Sequence, residues 1–269
     1  VSRIPWIDDL ESNEELDILS REAVGHLISK RQYDFVSPHY SEPVLLDVIG
    51  VSDPLPQYDH PHRELRDDLT LDKPTETVDK STALEQLGRA AARHLESVDS
   101  NLQTCANAID NAVFDCFDIN GDQREIILQE ISLRTNKNPR KQEEYNPKSI
   151  TEPSEDFPEQ VKDLLLHFTL RAVNDTADGI VPLSDIDDED DLLTHIEAEF
   201  ERVWGEHADA RLAEVDDVLG SRSAAEEAYP NLRKWIEEDL FEYHVSKFDR
   251  TPILWRFTTE RLVSDPDGE

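Results

Sequence analysis

Methionine is absent from the chain, cysteine occurs twice, and glycine only 8 times in 269 residues. The missing methionine implies either a start codon other than ATG read literally or a piece of a longer reading frame. The two cysteines, Cys105 and Cys116, fall in one helical stretch, about 16 Å apart at ~1.5 Å rise per residue. A disulfide within that helix is excluded, because bonded cysteines need Cα atoms within ~7 Å. Both read as small core side chains in a reducing compartment. No apolar run approaches the ~20 residues of a membrane span, and no signal-peptide pattern opens the chain. A cytoplasmic protein without membrane contact is expected.

Positive charge is also scarce. Against 61 acidic residues stand 27 basic ones, for a net charge of −34, and 18 of the 27 are Arg. The acids do not form one tail but are spread over segments with regular apolar spacing, which disordered chains lack. The excess reads as a surface adapted to a salt-rich cytoplasm, where a Debye length of ~3 Å at molar salt screens self-repulsion. Hydrophobic residues reach only 37% and aromatics 7%, so the core is small for the chain length.

Several chemistries are missing as well. No Gly-rich phosphate loop precedes a helix and no G-x-S-x-G elbow occurs. Asp118–Asp122 mimics part of a calcium loop, but aligning Gly121 with its glycine puts Cys116 and Ile127 where carboxylates are needed. His195-Ile196-Glu197 opens like a zinc deaminase motif without the following cysteine pair. His60 and His62 have no cysteine nearby. The acidic run 185–191 reads as the first turn of a helix, where carboxylates complement the macrodipole. Asp156, Glu159 and Lys162 lack nuclease spacing, and an (i, i+3) pair accounts for the last two. No catalytic, cofactor-binding or metal-ligating residue is selected.

What the sequence does contain is helical periodicity. Leu10, Leu16, Ile18, Leu19, Val24, Leu27 and Ile28 predict a helix over 10–30. Residues 33–80 lose that pattern and collect prolines, reading as a surface excursion or linker with a short strand or helical turn at Pro43–Val51. Thr82 and Glu85 have capping-box spacing. Leu84, Leu87, Ala91, Leu95, Val98, Leu102, Cys105, Ile109, Val113 and Cys116 then predict one amphipathic helix over 82–118. Asn120-Gly121 is expected to stop it, and Asp122 with Glu125 to cap a further helix to about Arg134. Residues 136–156 are polar and proline-punctuated. Helices follow near 158–174, 188–204, 206–219 and 228–248, then a short strand or apolar clip at 251–259. The expected architecture is mainly α: a helical bundle or long helical hairpin with a C-terminal helical domain and little β structure. Its divisions fall at 1–80, 81–136, 137–156 and 157–269.

Two basic islands interrupt the acidic background. Arg134, Lys137, Arg140 and Lys141 lie in a stretch without acids, and Arg233, Lys234, Lys247, Arg250, Arg256 and Arg261 lie near the C-terminus. Basic groups at a helix C-terminus are favourable in any case; phosphate contact is the alternative.

The C-terminal stretch Leu232-Arg233-Lys234-Trp235, Leu240-Phe241, His244 and Arg250-Thr251-Pro252-Ile253-Leu254-Trp255 resembles the closing segment of large adenine-specific DNA methyltransferases. These are the PglX-like enzymes of BREX phage exclusion and related restriction–modification groups. Asp110–Ile127, DNAVFDCFDINGDQREII, is similar to that family's long helix before an acidic-capped helix. Asp178–Leu183, DGIVPL, with the following DLLTHIEAEFERVWGE resembles the segment before its closing helices. Together these cover most of 82–258. The family's aromatic pair is Leu240-Phe241 here, and its basic run is reduced to Lys247, Asp249 and Arg250.

Such methyltransferases need a glycine-rich loop for S-adenosylmethionine and an [N/D/S]-P-P-aromatic loop that grips a flipped adenine. Here Asn138-Pro139 is followed by Arg140 and Asn146-Pro147 by Lys148. The resemblance therefore implies a non-catalytic DNA-recognition or scaffold region, with S-adenosylmethionine bound by a methyltransferase partner or upstream domain. For DNA contact it selects Arg250, Lys247 and Trp255, then Arg134, Arg140 and Lys141. Pro252 and Trp255 are expected to act more as packing anchors than as base readers. The alternative is a free-standing acidic helical module that binds a protein through the 82–118 stripe, with Leu95 and Leu102 at the contact.

Overall fold

The computed structural model describes residues 13–55, 68–137, 153–176, 178–184, 189–221 and 228–248. The helices are α1 (Glu14–Arg31), α2 (Val44–Val48), α3 (Leu84–Cys116), α4 (Gly121–Lys137), α5 (Phe157–Asp175) and α6 (Leu192–Trp204). A 3-10 turn (Gly205–His207) leads into α7 (Ala208–Leu219), followed by α8 (Pro230–Lys234), a π turn (Trp235–Asp239) and α9 (Leu240–Lys247). No strand is present among the described residues, as a mainly α fold requires.

The spine is α3, whose 33 residues span about 50 Å. Its predicted stripe is real: Leu84, Leu87, Ala91, Leu95 and Val98 are fully buried. The first half of α3 packs on α2, α5 and α7. Gly88 permits the approach of α5, since a Cβ there would come within 2.5 Å of the Phe157 ring. Along its other side α1 runs antiparallel. Lys30 Nζ is 2.8 Å from an Asp99 carboxylate oxygen near one end, and the Asn13 amide donates to Cys116 Sγ (3.2 Å) at the other. Cys105, in between, donates to the Leu19 carbonyl at 3.1 Å, and both cysteines are free thiols.

One hydrophobic core joins Tyr33 and residues of α2, α3, α5, α6, α7, α8, the π turn and α9. It includes a stacked Phe200–Trp204 pair with centroids 4.9 Å apart, met edge-on by Phe168. The stretch Pro43–Val51, expected as a short strand or helical turn, is the helix α2, and the surface reading of the residues around it is corrected, since Tyr40, Ser41 and Asp53 are buried too. Leu45 and Leu46 are wholly buried, and Val44, Val48, Ile49 and Tyr33 nearly so. With only five residues α2 is too short for helical periodicity, and it is buried on nearly all sides, so no polar face reveals it.

Helix ends differ from expectation, some through distant partners and some through local caps. Ala83, not Thr82, occupies the N-cap of α3 and makes no side-chain cap, so Glu85 is one position short of the capping-box site. The cap comes from 130 residues away: the Leu84 amide donates to Glu214 Oε2 at 2.7 Å. Arg211 of α7 binds the Thr82 carbonyl and pairs with Glu214 at 2.8 Å. Asp216 similarly accepts the Asn231 and Leu232 amides of α8, both at 2.8 Å. At the far end, α3 stops because Asp118 takes a left-handed conformation (φ 53°), while Gly121 is already the first residue of α4. The capping box is Asn120–Gln123, each side chain accepting the other's backbone amide at 3.0 Å. The helix expected over 228–248 is interrupted by the π turn, whose five-residue step carries buried Trp235 to buried Leu240.

Glu214→Ala is expected to lower unfolding stability by about 1 kcal/mol, as loss of an N-cap does, whereas Thr82→Ala shifts it by at most a few tenths. Denaturant titration of both variants checks this, and a larger loss at Thr82 would restore the local box.

Candidate functional site

Three groups of side chains bear on function. The first is the elbow between α3 and α4, built from the Asp110–Ile127 stretch. Arg124 in the first turn of α4 reaches back to α3. Its Nη2 binds Asp115, its Nη1 donates to Asn111 Oδ1 (3.1 Å), and its Nε donates to the Ile119 carbonyl (3.1 Å). The guanidinium also lies 5.3 Å from the Phe114 ring centroid. One planar five-donor group therefore fixes the angle at which α4 leaves α3. Beyond the elbow, Ile126 is 65% exposed, Leu128 52%, Ile131 55% and Leu133 44%. Arg134 belongs to the last turn of α4.

The second group surrounds Tyr243 of α9. Its hydroxyl donates to Asp163 Oδ1 (2.8 Å) and lies 3.2 Å from Glu159 Oε2, both on α5. Lys247 Nζ is 2.5 Å from Asp163 Oδ1 and 4.8 Å from the Tyr243 ring centroid, and Lys162 pairs with Glu159 at 2.8 Å. Burial raises the Asp163 carboxyl, although Lys247 and Tyr243 oppose it. Burial would raise Glu159 too, but hydrogen bonds from Lys162 and Tyr243 and both lysine charges hold it below the ordinary carboxylate range. Two carboxyls with opposed shifts are the arrangement of an acid–base pair. Here, however, two lysines balance two carboxylates and the tyrosine bridges them, so the group acts as the anchor of α9 on α5. A cavity of about 330 Å³, lined by Tyr33, Phe35, Ser154, Glu159, Tyr243 and Lys247, lies beside it.

Lys247, selected as a phosphate contact, thus has its ammonium turned onto a carboxylate of its own chain, because α9 packs its lysine side against α5. The side chain of Arg134 is outside the described residues. Arg140, Lys141, Arg250 and Trp255 lie outside the described residues. Of the residues that carried the resemblance, Leu232, Trp235 and Leu240 are core, whereas Phe241 is 79% exposed. His244 is half-buried against Phe35 and Phe248.

The third group was not legible in the sequence. Asp53, just beyond α2, receives Arg171 of α5 at 2.6 Å and Arg202 of α6 at 2.5 Å, while Glu199 holds Arg202 at 2.6 Å. His167, with no solvent exposure, has Nε2 3.5 Å from Asp53 and Nδ1 3.0 Å from the Tyr40 hydroxyl. A carboxylate only accepts, so the neutral ring keeps its proton on Nε2 and accepts from Tyr40 at Nδ1. Burial would raise Asp53, but the adjacent His167 ring and the two guanidinium groups overcome it and hold the carboxyl below its usual value. Burial lowers His167, outweighing its attraction to Asp53. Buried at Asp53 and His167 but open to solvent at Arg202, this network ties the α2 region to α5 and α6. The signal that could have found it is the near-continuous apolar run Val44–Val51, which marks the segment carrying Asp53 as buried.

Among the described residues no group of three His, Cys, Asp or Glu could hold a metal ion, and no helix is long and apolar enough to cross a membrane. No family model, no curated protein and no solved structure matches the chain.

The lowered His167 value sets a pH dependence. Below its ordinary value, near 6.5, the unfolded chain binds a proton that the folded chain refuses, so stability falls as pH drops through that region. His167→Gln is expected to remove this part of the slope below about pH 6.5 in denaturant midpoints. An unchanged slope would place the titration elsewhere.

Proposed function

We propose that the chain is a non-catalytic, helical DNA-recognition or scaffold part of an adenine-N6 DNA methyltransferase system, of the BREX or restriction–modification type. It acts in the cytoplasm and positions methyl transfer carried out by a partner chain or domain that binds S-adenosylmethionine. The observation that carries this reading is the Arg124 elbow. One of the further stretches that resemble the methyltransferase family, Asp110–Ile127, forms a braced joint between two helices rather than a loop with reactive groups. A braced joint suits a spacer that holds one body at a fixed angle to another.

The charge distribution limits how such a chain meets DNA. A net charge of −34 repels the phosphate backbone, so contact falls to local basic islands. Arg134, Arg140 and Lys141 form one and Arg250 with Trp255 the other. Lys247 is withdrawn from this set, since Asp163 holds it. The alternative, a free-standing module that binds a protein through the α3 stripe, loses part of its surface: Leu95 is 1% exposed and covered by the chain's own core, while Leu102 is half-buried. An interaction role for the chain would rest on α4 instead.

The test combines the full chain with the catalytic methyltransferase chain encoded beside it or in frame with it. Co-purification is expected, together with N6-methyladenine formation that needs both chains. Arg134→Ala, Arg140→Ala and Lys141→Ala combined should lower methylation about tenfold or more and flatten its salt dependence. Methyl transfer by this chain alone, or methylation indifferent to it, would overturn the reading.

A further inference from the structure

We propose that Asn120 is a site of spontaneous deamidation, driven by ring closure from the backbone nitrogen of Gly121, and that the conversion loosens the elbow between α3 and α4. The chemistry needs an accessible nucleophile, an activated carbonyl and a free leaving group, and the junction supplies all of them.

The nucleophile sits in a glycine that the fold does not require. Gly121 opens α4 without a left-handed backbone, and a Cβ there would meet nothing within 4 Å. What the missing side chain does is leave the Gly121 nitrogen unscreened. At the start of a helix that N–H has no intrahelical acceptor, and no other acceptor among the described residues takes it. The Asn120 side chain beside it is exposed, and its Oδ1 accepts the Gln123 amide at 3.0 Å. A donor on that oxygen draws electrons from Cγ and stabilises the oxyanion that forms there on attack. Asn120 Nδ2 donates to no group among the described residues. No other asparagine of the chain precedes glycine.

The Gly121 nitrogen, once hydroxide has removed its proton, attacks Asn120 Cγ. The bond from Cγ to Nδ2 breaks, Nδ2 takes a proton from water and leaves as ammonia, and a five-membered succinimide remains. Water then opens the ring at either carbonyl. One product has Asp at position 120 and keeps an acceptor at the cap. The other is an isoaspartyl linkage, in which the main chain runs through Cβ and Cγ and is one atom longer. There the carbonyl that accepts the Arg124 amide at 2.9 Å becomes a free carboxylate. Arg124 braces α4 on Asn111 and Asp115, so the added atom shifts the brace against α3. The conversion needs no role in DNA methylation.

Ageing of the full chain in molar KCl over a series of alkaline pH values, followed by peptide mass spectrometry, tests this. Asn120 is expected to gain about 1 Da before any other asparagine, at a rate proportional to hydroxide, and fragmentation should show the isoaspartyl linkage. Gly121→Ala, which the open space around the residue accommodates, should slow conversion about tenfold or more. In hydrogen exchange of the aged chain, the isoaspartyl peptide should take up deuterium faster at Gln123 and Arg124, whereas Asn120→Asp exchanges as the wild type does. Asn120 intact in the folded chain while it converts in denaturant would show that the cap protects it, and would overturn the proposal. Equal rates in Gly121→Ala, or native exchange in the isoaspartyl form, would overturn it as well.

Discussion

The buried stripe of α3, from Leu84 to Val98, is the surface on which the rest of the molecule assembles. The chain has few apolar residues for its length and cannot support several separate cores. Instead α2, α5 and α7 converge on the first half of one helix, and α1 runs along its length. Each large side chain buried there contributes about 1.5–3 kcal/mol. The requirement explains why Gly88 stands opposite Phe157 and why a five-residue helix is among the most deeply buried elements.

An acid-rich sequence must also use its carboxylates inside. Glu214 and Asp216, two residues apart on α7, cap two different helices. Asp53 gathers two arginines at the edge of the core, and Asp163 holds Lys247 and Tyr243. In each case a carboxylate accepts amide or cationic donors that would otherwise be left unsatisfied during burial. The ion pairs therefore draw together segments far apart in sequence. Because Asp163 takes Lys247 into this role, the residue cannot be assigned to DNA by its charge alone.

Much of the fold was legible because helical periodicity is a local signal. The 82–118 stripe, and the helices near 158–174 and 206–219, were visible as apolar spacing, and the structure places helices at Leu84–Cys116, Phe157–Asp175 and Ala208–Leu219. What could not be read was set by distant partners. Thr82 and Glu85 have the spacing of a cap, yet the amide turns to Glu214 because α7 packs alongside. The residues on either side of Pro43–Val51 look like a linker because prolines break the pattern there, yet Tyr33, Tyr40 and Asp53 are buried against distant elements. The π turn at Trp235–Asp239 answers a packing register that no local pattern announces. Of the proposed DNA contacts, only Lys247 has a described side-chain environment, and its partner, Asp163, lies 84 positions away.

Native-state hydrogen exchange in molar salt tests most directly the claim that one core, centred on the first half of α3, organises the chain. Amides of Val44–Val48 and of residues 84–98 should share the slowest exchange and open only with global unfolding, while those of α4 exchange much faster. Fast exchange at Val44–Val48, independent of α3, would show that α2 lies outside the common core and contradict the account.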